Sequence, residues 1–402
     1  MKIAQIFNRY LQRGGEEISV ERISNALSQR HKVFHCYFDS RQMAGTETLV
    51  EMSLSVSQML WNFDAAERLG AHLDAVKPDI ALFHNILPYG SAAVFHEVQK
   101  RGIPTFNYIH NFRPFSVNGY LWAQNRLELA GLKKNFFPEI QAASWQNSRL
   151  RTLIAAAAIS FMHAAGIYRR INRWLAISEF MRHTFVQAGV PEEKVVTLRH
   201  SAQIDPLPAT NNDEGYYLFL GRLISAKGIV TLLETWSDLA QRLGSATPVL
   251  KIAGEGDLKD MVRIYCRDHP KVEFLGRLDG EEKARCIAHC RAMVAPSLWW
   301  EPLGIVTYEA YNAGKPMLAA RSGGLTETVQ HNTTGFLHTP GDSRELADQI
   351  TSLEAEPAKV RQMGIAGREW LLANCHEGKW LDAFDGILKT IGIDATRQEA
   401  EI

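Results

Sequence analysis

The chain has 402 residues, of which 46% are hydrophobic and 22% are charged, a balance that is normal for a soluble globular protein of two or three domains. The 44 Lys and Arg residues equal the 44 Asp and Glu residues. No basic excess therefore indicates nucleic acid as an obligate partner.

The cysteines and the N-terminus indicate a cytoplasmic protein. Five scattered cysteines, an odd number, argue against a disulfide scaffold and suit a reducing compartment. Cys286, His289 and Cys290 lie close together but lack a fourth ligand, so we expect buried structural cysteines and no metal site. The first ten residues become polar after six and contain no signal-peptide core. The longest apolar stretch, Leu153 to Ile167, is short for a membrane span.

The chain begins with the pattern of a β-loop-α-β unit of Rossmann type. Its predicted elements are a strand from Lys2 to Phe7, a loop from Asn8 to Glu16, a helix from Ile18 to Leu27 and a strand from Val33 to Phe38. The loop contains Gly14 and Gly15, which do not form the G-x-G-x-x-G fingerprint of dinucleotide-binding proteins. A tight turn that needs a positive φ would also explain this pair.

Alternating helices and strands continue this pattern. We predict a helix from Ser53 to Val76 with Leu60, Phe63, Ala66 and Leu69 on one side, a strand from Asp79 to Phe83, a helix from Val94 to Lys100 and a strand from Pro104 to Ile109.

The two strands just named end in polar residues. His84 follows the first, and His110, Asn111 and Arg113 follow the second. Open α/β sheets bind ligands at the carboxyl ends of parallel strands, so these four residues are candidates for a binding site. A packed or surface histidine is the alternative for both His84 and His110.

A less regular segment follows, from Asn118 to Tyr168, and it is rich in aromatic residues and alanine. Basic and aromatic side chains accumulate in and just after it: Trp122, Trp145, Arg149, Arg151, Arg169, Arg170 and Arg173. Helices that pack on the sheet with a solvated basic face explain this composition. Contact with anionic lipid headgroups at the inner membrane is an alternative.

A polar segment with two prolines, Pro206 to Gly215, separates the chain into two halves and predicts a linker. Before it we expect a strand from Trp174 to Ile177, a helix ending at Ala188 and a strand from Val195 to Leu198. We predict a first domain over residues 1–205, a second over 206–375 and a C-terminal helical segment over 376–402.

The second half contains strands that end in glycine-rich loops. Tyr216 to Leu220 leads into Gly221 to Gly228, Val249 to Ala253 ends at Gly254, and Val272 to Leu275 ends at Gly276, Arg277 and Leu278. The strand-like runs Ala292 to Pro296 and Met317 to Ala320 then enclose a loop and a helix, as in a parallel α/β layer.

Two carboxylates, Glu301 and Glu309, bracket the start of that helix, and Gly304 and Ile305 lie between them. Eight helical steps would separate the carboxylates by about 12 Å, too far for a shared proton. The spacing instead fits two acids that bind different parts of one long, hydroxyl-rich ligand. Free N–H groups at a helix start suit phosphate.

Glu-x7-Glu, followed by A-G-K-P and S-G-G, together with the G-R-x4-K-G loop from Gly221 to Gly228, resembles the retaining GT-B glycosyltransferases of group 1, or family 4 (GT4). The resemblance is firm over residues 215–341 and looser before them. Two departures are Arg30-His31 in place of Gly-His and Arg199 to Asp205 in place of Asn-Gly-x-Asp. The resemblance implies an α/β fold of two Rossmann-like domains whose parallel sheets face a central cleft, with the last helix crossing back to the first domain.

The resemblance also implies roles for the donor, a nucleotide-diphosphate sugar. Arg222 and Lys227 would neutralise its diphosphate, Glu301 would bind the sugar hydroxyls and Glu309 the ribose. The residues implied to line the rest of the donor site are Gly14, Gly15, Gly254, Gly276, Arg277, Leu278, Gly304 and Ile305. His110 would contact the transferred sugar and, with Arg222, Lys227 and Glu301, support catalysis. His84, Asn111 and Arg113 would be candidates on the acceptor side, and shaping the acceptor site is an alternative role for the segment from Asn118 to Tyr168.

The resulting hypothesis is a retaining hexosyltransferase that needs no metal or other cofactor, since no D-x-D triplet occurs in the chain. It would use a UDP- or GDP-sugar and a glycan or lipid-linked acceptor, in bacterial surface-polysaccharide synthesis. We expect a cytoplasmic protein, with peripheral membrane contact as a second interpretation. The alternatives are a sugar-nucleotide epimerase, a phosphorylase and a non-catalytic nucleotide-sugar-binding protein.

Overall fold

The computed structural model describes residues 1–9, 14–40, 57–206 and 213–393. The chain divides into two compact units. The first contains Met1–Gln124, Glu128–Ser201 and the C-terminal helix, and the second contains Asn125–Leu127 and Ala202–His376. Parts of the predicted linker, of the loop before Gly14 and of the polar tail lie outside the described residues.

The first unit is built on a parallel sheet in the order β2-β1-β3-β4-β7-β8. Its strands are β1 (Lys2–Arg9), β2 (Lys32–Asp39), β3 (Ile80–Phe83), β4 (Thr105–Ile109), β7 (Arg173–Ala176) and β8 (Val195–Thr197). Two short strands, β5 (Trp122–Ala123) and β6 (Arg126–Leu127), lie between β4 and β7 in the chain. Strands β3 and β4 are buried at every residue, as expected for a parallel sheet that is covered on both faces.

In the described part of the first unit, the α-helices with defined bounds are α1 (Gly15–Leu27), α2 (Phe63–Val76), α3 (Ser91–Gln99), α4 (Phe137–Gln141), α5 (Arg149–Ala164) and α6 (Glu179–Gln187). Residues 57–60 are also helical. Short 3-10 turns span Arg113–Phe115, Ala130–Lys133, Tyr168–Arg170 and Glu192–Lys194. The segment predicted as less regular therefore includes one long helix, α5.

The helix predicted from Ser53 to Val76 is interrupted in the structure: residues 57–60 are helical, Trp61 and Asn62 are not, and α2 begins at Phe63. The side chain of Asn62 accepts a hydrogen bond from the Ala65 amide and so caps the helix. The predicted apolar side was also wrong at its start. Phe63 is 77% exposed, whereas Ala65 and Leu69 are buried. Residues 53–56 of the prediction lie outside the described residues.

The second unit contains a parallel sheet in the order β11-β10-β9-β12-β13-β14. Its strands are β9 (Tyr216–Leu220), β10 (Val249–Ala253), β11 (Val272–Gly276), β12 (Ala292–Ala295), β13 (Met317–Ala320) and β14 (Gly335–His338). The helices are α7 (Ile229–Leu243), α8 (Lys259–Asp268), α9 (Gly280–His289), α10 (Val306–Asn312), α11 (Leu325–Thr328), α12 (Ser343–Ala355) and α13 (Pro357–Cys375). Two 3-10 turns span Ser225–Lys227 and Gly244–Ala246.

The core of the second unit is formed where α7 and α12 pack beside each other on the sheet. Buried side chains of α7, α12 and β9 form one hydrophobic cluster, which includes Leu232, Trp236, Leu346, Ile350 and Tyr217. The Trp236 indole N–H donates to the Pro248 carbonyl at 2.9 Å, so this large ring is buried without leaving its polar atom unpaired.

The last helix, α14 (Glu377–Lys389), packs on the first unit. Its Asp385 carboxylate lies 3.0 Å from Nε2 of the buried His31 and 2.9 Å from the Arg30 guanidinium. Trp380 and Phe384 stack with ring centres 5.6 Å apart, and both are buried. No helix among the described residues is both long enough and apolar enough to cross a membrane.

Candidate functional site

The order of the second sheet creates a crevice between β9 and β12. These strands are neighbours, but the chain continues from β9 towards β10 and β11 on one side and from β12 towards β13 and β14 on the other. In open α/β sheets, ligands bind outside the carboxyl ends of the strands at such a switch point. The loop from Gly221 to Gly228 follows β9, and the loop that contains Glu301 follows β12.

Backbone hydrogen bonds hold these two loops together. The Ala226 carbonyl accepts from the amides of Leu298 and Trp299, at 2.9 and 3.2 Å. Gly228 has a φ of +73°, and a Cβ atom there would lie 1.9 Å from the Pro296 carbonyl oxygen. Only glycine allows this approach, which places Lys227 beside the loop after β12.

The result is an ion pair between Lys227 and Glu301, two residues that the sequence singled out for separate reasons. Lys227 Nζ lies 2.5 Å from Glu301 Oε1, and the Ser297 hydroxyl donates to the same oxygen at 2.6 Å. The Lys227 ammonium also lies 5.1 Å from the centre of the Trp299 ring, within range of a cation–π contact.

Glu301 is ionised although its side chain is only 7% exposed. Burial raises the pKa of Glu301, but the charge of Lys227 and the hydrogen bonds from Lys227 and Ser297 outweigh burial, and the net pKa lies below the ordinary value. A carboxylate held in this way can accept hydrogen bonds from hydroxyl groups at neutral pH.

The loop from Ser322 to Gly324 supports Glu301 from behind. The Gly324 amide donates to the Glu301 carbonyl at 2.7 Å. Gly323 has a φ of +55°, and a Cβ atom there would lie 2.2 Å from the Glu301 carbonyl oxygen. The S-G-G sequence therefore has a structural reason, since it lets this loop approach the backbone of Glu301.

Glu309 lies on α10, one turn beyond the helix start, and is paired with a residue that sequence reasoning missed. Lys283 Nζ on α9 lies 2.7 Å from Glu309 Oε1, with both side chains about a quarter to a third exposed. The signal for Lys283 is weak, because it is one lysine among several charged residues of an amphipathic helix. Gly304 is buried and Ile305 half-buried directly before α10.

The other donor-side candidates of the second unit lie at the ends of neighbouring strands. Arg222 is exposed on the loop after β9. Gly254 follows β10, and its amide donates to the Gly276 carbonyl at the end of β11 at 2.8 Å. Arg277 is exposed and pairs with Asp279 at 2.8 Å, while the Leu278 side chain is buried.

In the first unit, the carboxyl ends of β1, β3 and β4 carry the remaining candidates. Gly14 is the N-cap of α1 with an extended φ of −126°, and Gly15 is its first residue. Neither has a positive φ, so the tight-turn explanation for this pair was wrong. A Cβ atom at either glycine would meet no described atom within 4 Å. Both residues are exposed.

Asn111 and Arg113 organise the loop after β4. The Asn111 amide donates to Glu16 of α1 at 3.1 Å, and its oxygen accepts from the Arg113 amide at 2.9 Å. The Arg113 guanidinium donates to the Val117 carbonyl at 2.6 Å and lies 5.4 Å from the centre of the Trp145 ring.

His84 and His110 belong to a stacked group that also contains a residue without a predicted role, His200. We call His84, His110 and His200, which all stack against Tyr108, the histidine cluster. The ring centres of these histidines lie 5.9, 5.2 and 5.5 Å from that of Tyr108. Burial lowers the pKa of His84 and His200 to about 3 and that of His110 well below its ordinary value. All three are therefore neutral at pH 7.

Within the described ranges, no three His, Cys, Asp or Glu side chains are grouped closely enough to hold a metal ion. Cys286 and Cys290 are free thiols, and burial raises the pKa of Cys290 to about 12.

Models of two glycosyltransferase families match the sequence, one over each half of the chain. The family model "Glycosyltransferase Family 4" matches residues 13–201, and the model "Glycosyl transferases group 1" matches residues 202–370. The chain belongs to the group 1, family 4 glycosyltransferases. The Lys227–Glu301 pair lies in the part that matches the group 1 model, and the histidine cluster lies in the part that matches the family 4 model.

Two curated relatives resemble part of this glycosyltransferase. An uncharacterized glycosyltransferase of Methanocaldococcus jannaschii is 31% identical over 184 residues, 45% of this chain and 42% of that protein. The GDP-mannose-dependent alpha-(1-6)-phosphatidylinositol monomannoside mannosyltransferase of Mycobacterium tuberculosis is 33% identical over 164 residues, 38% of this chain and 42% of that protein. The matches thus span about two fifths of these relatives.

A solved structure shows the same fold over nearly the whole chain. The crystal structure of Anabaena Alr3699/HepE in complex with UDP has a TM-score of 0.68 at 17% identity, and the match covers 97% of this chain and 100% of that one. This likeness and the two parallel six-stranded sheets confirm the predicted two-domain GT-B fold.

Proposed function

We propose that this glycosyltransferase is a retaining, metal-independent hexosyltransferase. Its donor is a UDP- or GDP-sugar that binds at the switch point of the second unit. The observation that carries the proposal is the ion pair of the partly exposed Lys227 with the buried Glu301 in that crevice, with Glu309 on the helix that follows. The Lys227 cation suits the diphosphate of a nucleotide sugar, and the two carboxylates suit its hydroxyl groups.

The charges of the crevice suit the departure of a nucleoside diphosphate. As the glycosidic bond breaks, the leaving diphosphate gains negative charge, and a cation already in place stabilises it without reorganisation. Lys227 is held by Glu301 and by the approach of its loop to Pro296. Arg222, exposed on the same loop, supplies a second positive charge. We assign these two side chains the role that a metal ion has in other transferases.

Retention of configuration is proposed with a front-face displacement. The acceptor hydroxyl attacks the anomeric carbon on the face that the diphosphate leaves, and a phosphate oxygen takes the proton. In this mechanism Glu301, whose Oε1 accepts from Lys227 and Ser297, binds sugar hydroxyls, and no covalent glycosyl-enzyme intermediate forms. Exclusion of water would limit hydrolysis of the donor.

The relatives indicate which nucleotide bases the donor could carry. The Anabaena protein was crystallised with UDP, and the mycobacterial relative is GDP-mannose-dependent, so UDP and GDP are the nucleotides to test first. We propose a glycan or lipid-linked acceptor in bacterial surface-polysaccharide synthesis, at the cytoplasmic side of the membrane. Gly14 and Gly15, whose missing side chains leave open space among the described residues, suit close approach of a ligand.

A thermal-shift panel of UDP, GDP, ADP and their common sugars tests the donor site, first with EDTA and then with magnesium. A nucleotide at 100 times its dissociation constant adds about 2.7 kcal/mol of stability. We expect one nucleotide class to stabilise the protein in EDTA, and Lys227→Ala and Arg222→Ala to abolish the shift. Lys359→Ala, in which the lost cation pairs with Glu356 on the surface of the same unit, is the control and keeps it.

Product analysis tests the reaction. Incubation with the selected donor and a glycan acceptor, followed by NMR of the anomeric proton, reports retention directly. An inverted product contradicts the proposed mechanism. Conversion of the donor without an acceptor would instead indicate an epimerase, and turnover that depends on phosphate would indicate a phosphorylase. If the protein binds a nucleotide sugar but glycosylates no acceptor, that result would contradict an enzymatic function.

A further inference from the structure

The side-chain amide of Gln5, on the central strand β1, has an orientation that the structure determines. Its nitrogen donates to the Val20 carbonyl at 3.1 Å, and its oxygen accepts from the Tyr37 hydroxyl at 2.8 Å. A carbonyl only accepts hydrogen bonds, so the amide nitrogen, and not the oxygen, faces Val20. Gln5 is completely buried, and its amide cannot turn without leaving polar groups unpaired.

The orientation of Gln5 determines which nitrogen of His84 carries the proton. The Gln5 nitrogen lies 3.0 Å from His84 Nε2, which must therefore accept. A neutral imidazole has one donor and one acceptor, so His84 carries its proton on Nδ1. His84 Nδ1 lies 2.8 Å from His110 Nε2 and donates to it.

The same reasoning applies to the next ring. Because His110 Nε2 accepts from His84, neutral His110 carries its proton on Nδ1. His110 Nδ1 is shielded from solvent and has no hydrogen-bond partner among the described residues. A buried N–H without an acceptor is unfavourable by about 1–3 kcal/mol, which is why such groups are rare away from binding sites.

A second unpaired donor lies in the same place. His110 and Arg113 line one cavity of about 30 Å³ in the first unit, together with His84, Asn107 and Tyr168. Arg113 Nε is also buried without a partner among the described residues. Two N–H groups that lack acceptors and line one cavity indicate a missing oxygen acceptor, and a cavity of this size admits a single hydroxyl group or water molecule.

We propose that Gln5 and His84 are positioning residues, which hold His110 in the tautomer that presents Nδ1–H to an oxygen atom of a carbohydrate ligand. The inference rests on the proposed function and deepens it, because it assigns direction to a hydrogen-bond relay from Gln5 through His84 to His110. A sugar hydroxyl bound there accepts from His110. Its own proton remains available for a second contact.

NMR of the full chain with isotope-labelled histidine tests the relay without any substrate. Two-bond nitrogen–proton correlations distinguish the two tautomers of a neutral imidazole. We expect His110 to carry its proton on Nδ1 in the wild-type protein. In His84→Asn the amide nitrogen replaces Nδ1–H as donor, so the tautomer of His110 persists. In His84→Leu the donor is lost, and we expect the Nε2–H form of His110 to appear.

Kinetics with the donor that the thermal-shift panel selects provide the second readout. Loss of a residue that orients another typically lowers activity on the order of 10- to 100-fold. We expect a loss of this size in kcat/KM for His84→Leu and a clearly smaller loss for His84→Asn. His183→Leu, at an exposed histidine of α6, is the control and keeps the wild-type value.

Three results would overturn the inference: an Nε2–H proton on His110 in the wild type, an unchanged His110 tautomer in His84→Leu, or equal kinetics for the Leu and Asn variants. Gln5→Met provides an independent check if His84→Leu does not fold, since it removes the donor to His84 at similar volume and should also mix the tautomers. An inactive wild-type protein would refute the proposed function, and the NMR spectrum would still decide the relay.

Discussion

Replacing Lys227 by methionine should destabilise the second unit in a way that depends on pH. The variant keeps the length of the side chain but removes the charge that lies 2.5 Å from Glu301 Oε1. The hydrogen bond from Ser297 remains, but no cation then pairs with a carboxylate whose side chain is 7% exposed. Removing one partner of a buried ion pair typically costs about 3–5 kcal/mol.

The size of the effect has an upper limit, because Glu301 can take up a proton instead of staying charged. An unfolded glutamate has a pKa of about 4.3, so protonating it costs about 4 kcal/mol at pH 7 and only about 1 kcal/mol at pH 5. Lys227 is partly exposed, so we expect a loss of about 3 kcal/mol at pH 7 that shrinks to about 1 kcal/mol or less at pH 5.

The sign follows from proton linkage. In the wild type the folded pKa of Glu301 is depressed, so its contribution to stability is present above the unfolded pKa and is lost as the pH falls. Without Lys227, burial dominates and the folded pKa rises above the unfolded value. The variant is then penalised above the unfolded pKa, and this penalty disappears as the pH falls towards it.

Hydrogen exchange of peptides from β9 and β12, read by mass spectrometry, measures the opening free energy of this unit alone. That choice avoids a two-state treatment of the whole chain. The double variant Lys227→Met/Glu301→Gln removes the unpaired charge and should recover about 1–2 kcal/mol at pH 7. Lys259→Met, which breaks a surface pair with Glu255, should change stability by less than about 1 kcal/mol. An equal loss at pH 5 and pH 7 would refute the reasoning.

Three further predictions follow from the same geometry. Gly323→Ala places a methyl group against the Glu301 carbonyl and should destabilise the second unit by about 2 kcal/mol or more in the exchange assay. The control, Gly386→Ala, lies on the open surface of α14 and should stabilise that helix by about 0.5–1 kcal/mol. Glu309→Gln should lower nucleotide affinity at least about tenfold by calorimetry, yet lower stability by less than about 1 kcal/mol, because its pair with Lys283 is partly exposed. Acid should unfold the first unit early, because each member of the histidine cluster has a depressed pKa. Each one lowers the free energy of unfolding by about 1.4 kcal/mol per pH unit as the pH falls below about 6.5. An acid titration followed by circular dichroism that lacks this steep loss of stability would contradict the assignment.

Strands of the second unit were predicted well because they are short apolar runs between glycines and polar loops. The predicted bounds Tyr216–Leu220, Val249–Ala253 and Met317–Ala320 are also the observed ones. The order of the strands is a different matter. Nothing in a local pattern says that β9 lies beside β12, whose residues come more than seventy positions later, and that neighbourhood creates the crevice.

Local competition explains the errors in the first unit. The 3.6-residue pattern of apolar residues continued before Phe63, but the side chain of Asn62 offered its oxygen to the Ala65 amide and so started a new helix there. The Gly14–Gly15 pair suggested a turn with a positive φ, whereas the structure has an extended N-cap. In both places a hydrogen bond or a backbone angle decided the outcome, and neither leaves a periodic trace in the sequence.

The candidate site shows the same limit in its chemistry. Lys227 and Glu301 were each assigned to a different part of the donor, and their mutual ion pair, which keeps Glu301 charged, required the structure. Gln5 was not predicted as a site residue. It is a polar residue inside the apolar run of β1, a pattern that indicates a buried polar contact without identifying the partner.

The protonation state of His110 that the relay from Gln5 determines could not be predicted from any sequence pattern. A histidine has two ring nitrogens, and the chemistry of His110 depends on which one is protonated. That choice is made two residues away in space and more than a hundred away in the chain, where a carbonyl and a hydroxyl orient one buried amide. Because the relay runs from Gln5 to His110, substitutions in β1 or α1 that never touch the ligand can change the ligand specificity at His110. A change from Gln5 to glutamate, which can only accept when ionised, would reverse both histidines and turn the Nδ1 position of His110 from a donor into an acceptor.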